Sequence, residues 1–149
     1  MPEVLFSRGT WMPAVVDDDG RLLLDVVGGA DALHGPRTFT VPVTHEHAEV
    51  VRTSVRRHLL LYAALLPLCY DAGVAGPWDE EAAAALLDPV LLGTPQEVDE
   101  TLRRARVDRR VLVAHHVSLR LLKSRRYYEA AQSATAESDW ARVRKHLGV

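Results

Sequence analysis

Cysteine occurs once in the 149 residues, at Cys69. A single thiol excludes an internal disulfide, so nothing in the chain points to an oxidising compartment. Isoleucine and asparagine are absent, and lysine is confined to Lys123 and Lys145 beside abundant Arg, Ala, Val, Asp and Leu. That usage follows GC-rich coding sequence and carries no mechanism. The longest nearly unbroken apolar run, Leu59 to Cys69, is far short of the roughly 20 residues a membrane span needs. Met1, Pro2 and Glu3 open the chain without a basic segment or a long apolar stretch, so no secretory leader is expected. Gly-x-Ser-x-Gly does not occur, and no glycine-rich loop ends in Gly-Lys-Ser or Gly-Lys-Thr. These absences predict a cytoplasmic protein without a nucleophile elbow or a phosphate loop.

What is present is a lopsided charge. Residues 1–100 carry 6 Arg and Lys against 16 Asp and Glu, and residues 101–149 carry 12 against 4. A formal net charge of −2 therefore hides an acidic stretch of −10 and a basic one of +8. Such asymmetry speaks to partners and self-association rather than to fold. Apolar content of 48% at this length allows one domain, residues 1–149, with a core of its own.

Residues 1–43 read as β. Val4 to Phe6 is a short apolar strand, and Trp11 to Val16 is a second. Asp17, Asp18, Asp19 and Gly20 form a turn. Arg21 to Val27 follows with Leu22, Leu24 and Val26 on one face. Arg37 to Val43 alternates, with Phe39, Val41 and Val43 opposite Thr38 and Thr40. Pro42 makes this last strand an edge, or ends it.

At Thr44 the period changes from two to three and four. Thr44 is placed to cap a helix on whose face Ala48, Val51, Val55, Leu59, Tyr62, Leu66 and Cys69 recur. From Leu59 onward it is apolar all round, which predicts a central, buried rod. Pro67 should kink or loosen its last turns, and Gly73 and Gly76 end it. Asp79 caps a second helix that Pro89 interrupts and Gly93 stops. Thr94, Pro95, Gln96 and Glu97 spell a capping box, leading into a helix with acids first and bases last. Val111 to Ala114 suits a short buried strand or a helix, with helix the better reading. A further helix runs to about Ser133, and Ser138 or Asp139 caps a last one with Trp140, Val143 and Leu147 inward. The expected fold is α+β: a small N-terminal antiparallel sheet of three to four strands, residues 1–43, then four to six helices around one long central helix, residues 44–149.

Several constellations invite chemistry. Counted from Asp17 as a calcium loop, the twelfth residue should be a bidentate Glu but is Gly28, so a hairpin turn is the better reading. His45 and His47 would share a face in a strand, but on a helix they diverge by about 200°. His115 and His116 diverge as well, and no pair fits the His-Glu-x-x-His spacing. No metal or other cofactor is expected. Cys69, inside Leu65, Leu66, Pro67, Leu68 and Tyr70, reads as a small buried hydrophobe. The acids Glu80, Glu81, Asp88, Glu97, Asp99 and Glu100 are close in sequence and could face a basic partner.

The basic stretch is the richest candidate. Arg103, Arg104, Arg106, Arg109 and Arg110 form one cluster. Arg120, Lys123, Arg125, Arg126, Tyr127 and Tyr128 form a second, and Arg142, Arg144 and Lys145 a third. Arginine makes bidentate contacts to phosphate, and a neighbouring tyrosine can stack on a base. Arg103, Arg104, Arg120, Arg125, Arg126, Tyr127 and Tyr128 are the candidate binding residues. Against a nucleic-acid role stands a sequence pI near 6.4.

Three stretches resemble a family of small uncharacterised actinobacterial proteins: Pro36 to Thr40, His58 to Cys69, and Leu87 to Leu92. All read as core or turn, and the resemblance implies no activity.

The leading expectation is a non-enzymatic protein-interaction module, immunity-like or regulatory, binding another protein or pairing with itself as a homodimer. A nucleic-acid-binding protein is the second reading. An enzyme with a composite site using His45, His47 or His115 is the third. A membrane is not an expected partner.

Overall fold

A two-residue turn sets the register of the N-terminal sheet. Asp18 pairs with Arg21, leaving Asp19 and Gly20 at φ of 53° and 84°. Two positive φ values in succession give the type I′ geometry that matches the strand twist, and Asp17 accepts the Gly20 N–H at 2.7 Å. This computed structural model describes residues 2–8, 12–29 and 33–137. Within them β1 (Glu3–Phe6), β2 (Ala14–Asp18), β3 (Arg21–Gly28) and β4 (Arg37–Pro42) form an antiparallel meander in chain order. Val15, Leu24 and Val41 pair across one face, with Val26 beside Phe39, and all are buried. Pro42 lies on β4, an edge strand, as its missing N–H requires. Leu5 is the extra residue of a bulge in the other edge strand, β1.

The helices follow on that inner face. They are α1 (His45–Thr53), α2 (Val55–Ala72), α3 (Glu80–Leu87), α4 (Pro95–Arg104), α5 (Arg109–Ala114), α6 (Leu119–Lys123) and α7 (Tyr127–Ala130). A π-helical turn, Asp88–Leu92, joins α3 to α4 around Pro89, and a 3₁₀ turn, Ala131–Ser133, follows α7. The architecture is α+β. Val111 to Ala114 is helical, in α5. No described helix is long and apolar enough to cross a membrane. The helix expected at Ser138 or Asp139 lies outside the described residues, as does the cluster Arg142, Arg144 and Lys145.

The single helix expected from Thr44 to Cys69 is two helices, with the apolar rod from Leu59 to Cys69 intact inside the second. Ser54 is extended, at φ −124° and ψ 100°. Its N–H closes α1 on the Val50 carbonyl at 2.8 Å, and its hydroxyl opens α2 by accepting the Arg57 N–H at 3.1 Å. A serine hydroxyl that bonds a nearby backbone N–H competes with helix continuation. The Arg8 guanidinium completes the break by donating to the Val51 and Arg52 carbonyls at 2.8 and 2.6 Å. The apolar spacing runs through Ser54 because both helices face one core.

α2 carries the centre of that core. Leu59 to Leu66 are all buried, and the cluster they join reaches from Met12, just before β2, to Ala131 beyond α7. Pro67 does not end the helix, which runs on to Ala72. A proline there leaves the Ala63 carbonyl without its helical donor. The Asp108 N–H supplies the missing bond at 2.9 Å, so the segment before α5 repairs the defect in α2. Strand β3 reaches α2 at Gly28, where a Cβ would stand 3.0 Å from the Cβ of Cys69. Gly73 ends α2 as expected, and Arg37 donates to the carbonyls of Gly73 and Gly76 at 3.2 and 2.7 Å.

Candidate anion-binding interface

The histidines are held by the scaffold. The Thr44 hydroxyl accepts the His47 N–H at 3.1 Å, and His47 Nδ1 accepts the Thr44 N–H at 3.1 Å. This is a capping box with histidine in the place usually held by Glu or Gln. With Nδ1 accepting, the ring proton is on Nε2, which donates to Asp88 at 2.6 Å. His58 is fully buried; Nδ1 accepts from Arg8 Nε at 3.1 Å and Nε2 donates to the Pro13 carbonyl at 2.7 Å. Burial chiefly, opposed by the Pro13 carbonyl and aided by the charge of Arg8, pulls its pKa down to about 4. His115 Nδ1 donates to the Thr135 carbonyl at 2.9 Å, and burial lowers its pKa as well.

His45 is exposed at the first residue of α1, so it and His47 follow one another on a helix, as their spacing behind Thr44 predicts. His47 is spent on Asp88 and His115 on Thr135, two separate places. Among the described residues no three His, Cys, Asp or Glu side chains are grouped to hold a metal ion. Cys69 is buried, and burial pushes its thiol up to about 12, far from a reactive thiolate.

The predicted basic residues fall into three environments. Arg103, Arg125 and Tyr128 are gathered where α4 meets the α6–α7 turn. Arg103 Nε donates to the Arg125 carbonyl at 3.1 Å, and an Arg125 Nη donates to the Arg103 carbonyl at 2.6 Å. Arg125 sits at φ 58°, with its N–H on the Leu122 carbonyl and the Arg126 N–H on the Leu121 carbonyl. That is a Schellman cap of α6 with arginine where glycine is usual. Asp99 accepts the Tyr128 N–H at 2.8 Å and lies 3.9 Å from Arg103. Arg104 and Arg120 are exposed, while Arg126, exposed too, is paired with Glu129. Tyr127 is only 3% exposed, so its ring belongs to the core and offers no stacking surface.

Two residues outside the predicted set complete the cluster. The guanidinium carbons of Arg56 and Arg57 lie 4.3 and 5.1 Å from the centroid of the Tyr128 ring. Arg57 also donates to the Val90 carbonyl at 3.1 Å, which fixes its direction. Burial alone would raise the Tyr128 pKa. Hydrogen bonding from Arg56, with the charges of both arginines, outweighs it and lowers the phenol below its ordinary value. The signal for this pair emerges only once the chain breaks at Ser54. Arg56 and Arg57 are in the first turn of α2, where the helix dipole disfavours cations. A local rule broken without local gain marks a place to look for function.

Acid and base meet in two named pairs that cross the boundary near residue 100: Arg106 with Asp71, and Arg103 with Asp99. Neither Arg56 nor Arg57 is in an ion pair among the described residues; the carboxylate beside them, Asp99, is on the Tyr128 N–H and near Arg103. The Arg56–Arg57–Tyr128 group can therefore present positive charge to a ligand with a fixed geometry.

A protein family described as being of unknown function, DUF6357, matches residues 1–148. No curated protein and no solved structure matches the chain.

Proposed function

The chain belongs to this family of unknown function, and we propose that it is a non-enzymatic, cytoplasmic protein-interaction module whose basic face docks an acidic surface of another protein. One observation carries the reading. Arg56 and Arg57 share the Tyr128 ring while Arg103 and Arg125 clasp each other's carbonyls, so cations from α2, α4 and the α6–α7 turn are held in place before a partner arrives. Preorganised charge lowers the ordering cost of docking and speeds encounter with an oppositely charged patch. The histidine rings and the Cys69 thiol support a binding rather than a catalytic role, since His47, His58 and His115 are spent on structural hydrogen bonds.

Nucleic-acid binding is favoured by exposed Arg104 and Arg120 on α4 and α6, the helices that carry Arg103 and lead into Arg125. The aromatic residues weigh against it. Tyr127 is buried and Tyr128 is already covered by two guanidiniums, so neither ring is open to a base.

Fluorescence anisotropy with labelled polyglutamate and with a labelled single-stranded oligonucleotide, each over a salt series, tests the two readings. Polyglutamate should bind at low salt, weaken as salt rises, and weaken further with Arg104→Glu and Arg120→Glu. Absence of polyglutamate binding at low salt overturns the docking reading, and tighter oligonucleotide binding selects the second. Light scattering across the same salt series shows whether the acidic partner is a second copy of the chain.

A further inference from the structure

We propose that Arg56, Arg57 and the Tyr128 hydroxyl form a binding site for a phosphate-class dianion, a refinement that rests on the preceding reading of this face as a binding face. Two guanidiniums converge on one ring, at 4.3 and 5.1 Å from its centroid. Both arginines are half-buried. Setting two like charges against one ring, in the first turn of a helix whose dipole disfavours cations, is costly unless an anion offsets both.

Charge selects the anion. A carboxylate neutralises one guanidinium and leaves the other unmatched. A phosphodiester likewise carries one charge. A phosphomonoester carries nearly two, with three oxygens that accept hydrogen bonds from planar guanidinium forks. The phenol of the ring they share adds a hydroxyl donor. Arg57 is anchored to the Val90 carbonyl, and Asp99 is occupied by the Tyr128 N–H and Arg103, so neither needs to rearrange. The group bound is either free phosphate or a phosphoryl group carried on a docking partner.

Calorimetric titration of the full chain tests this, using inorganic phosphate and, separately, N-acetyl-phosphoserine amide, at constant ionic strength set with chloride. Saturable binding is expected for at least one of the two, and it should strengthen as pH rises through the second phosphate ionisation near 6. The tighter of the two probes identifies the source. Arg56→Gln should weaken binding roughly tenfold, as expected for a lost charge-assisted hydrogen bond. Tyr128→Phe, which keeps the ring and the fold, should weaken it less. Three results overturn the site: no saturable binding of either probe, affinity unchanged in both variants, or tighter binding of an oligonucleotide than of phosphoserine. If polyglutamate docks but neither phosphate probe binds, only this refinement falls. If a phosphate probe binds but polyglutamate does not, only the docking of an acidic protein falls.

Discussion

Replacing His58 with glutamine isolates one buried proton site. His58 is 0% exposed, and its two nitrogens make opposite bonds, accepting from Arg8 and donating to Pro13. Its pKa is about 4 in the folded chain against an ordinary 6.5. The folded state thus binds no proton at His58 over a range where the unfolded chain does. Stability from this group is complete above pH 6.5 and is lost as pH falls from 6.5 to about 4. A drop of that size corresponds to about 3 kcal/mol. Glutamine offers a carbonyl oxygen to Arg8 and an amide N–H to Pro13 but does not titrate. Urea unfolding of both proteins at intervals from pH 7 to 4.5 measures the difference. Carboxylate protonation is common to both and cancels. The stability gap between the natural chain and His58→Gln should move by 2–3 kcal/mol in favour of the variant as pH falls. Parallel stability curves over that range would refute the assignment of a neutral, buried His58.

Other perturbations address single elements. His116 stands at φ 69° at the end of α5, with its N–H on the Val113 carbonyl and the Val117 N–H on the Leu112 carbonyl. His116→Gly should therefore stabilise the fold by about 0.5–1 kcal/mol, the left-handed penalty less the backbone entropy of glycine, as read by urea unfolding. Gly28→Ala drives a methyl to 3.0 Å from the Cys69 Cβ and should cost about 1–3 kcal/mol, seen as a lowered Tm. Ser54→Ala removes the hydroxyl that caps α2 and should cost about 1 kcal/mol, with faster hydrogen exchange at the Arg57 amide.

The strands and most helix starts were legible because their signals are local. Alternation at Phe39 and Val41, the Asp-Gly turn, and the caps at Thr44, Asp79 and Thr94 each act within a few residues, and all appear in place. What escaped depends on distant partners. The break at Ser54 is completed by Arg8, more than forty residues away. Pro67 is tolerated because Asp108 donates to Ala63. The helix expected to reach Ser133 is cut at Ser124 to Arg126 by a cap that needs a left-handed arginine, a conformation no propensity predicts. The candidate site was half legible for the same reason. Arg103, Arg125 and Tyr128 announce themselves by composition, whereas Arg56 and Arg57 join them only through packing of α2 against α7.

Amide chemical-shift mapping of the full chain during titration with polyglutamate probes the basic face most directly. Docking there predicts saturable shifts concentrated at residues 56–57, 103–104, 120 and 125–128, which diminish with Arg104→Glu and Arg120→Glu. Shifts centred elsewhere on the molecule, or none at low salt, would contradict it.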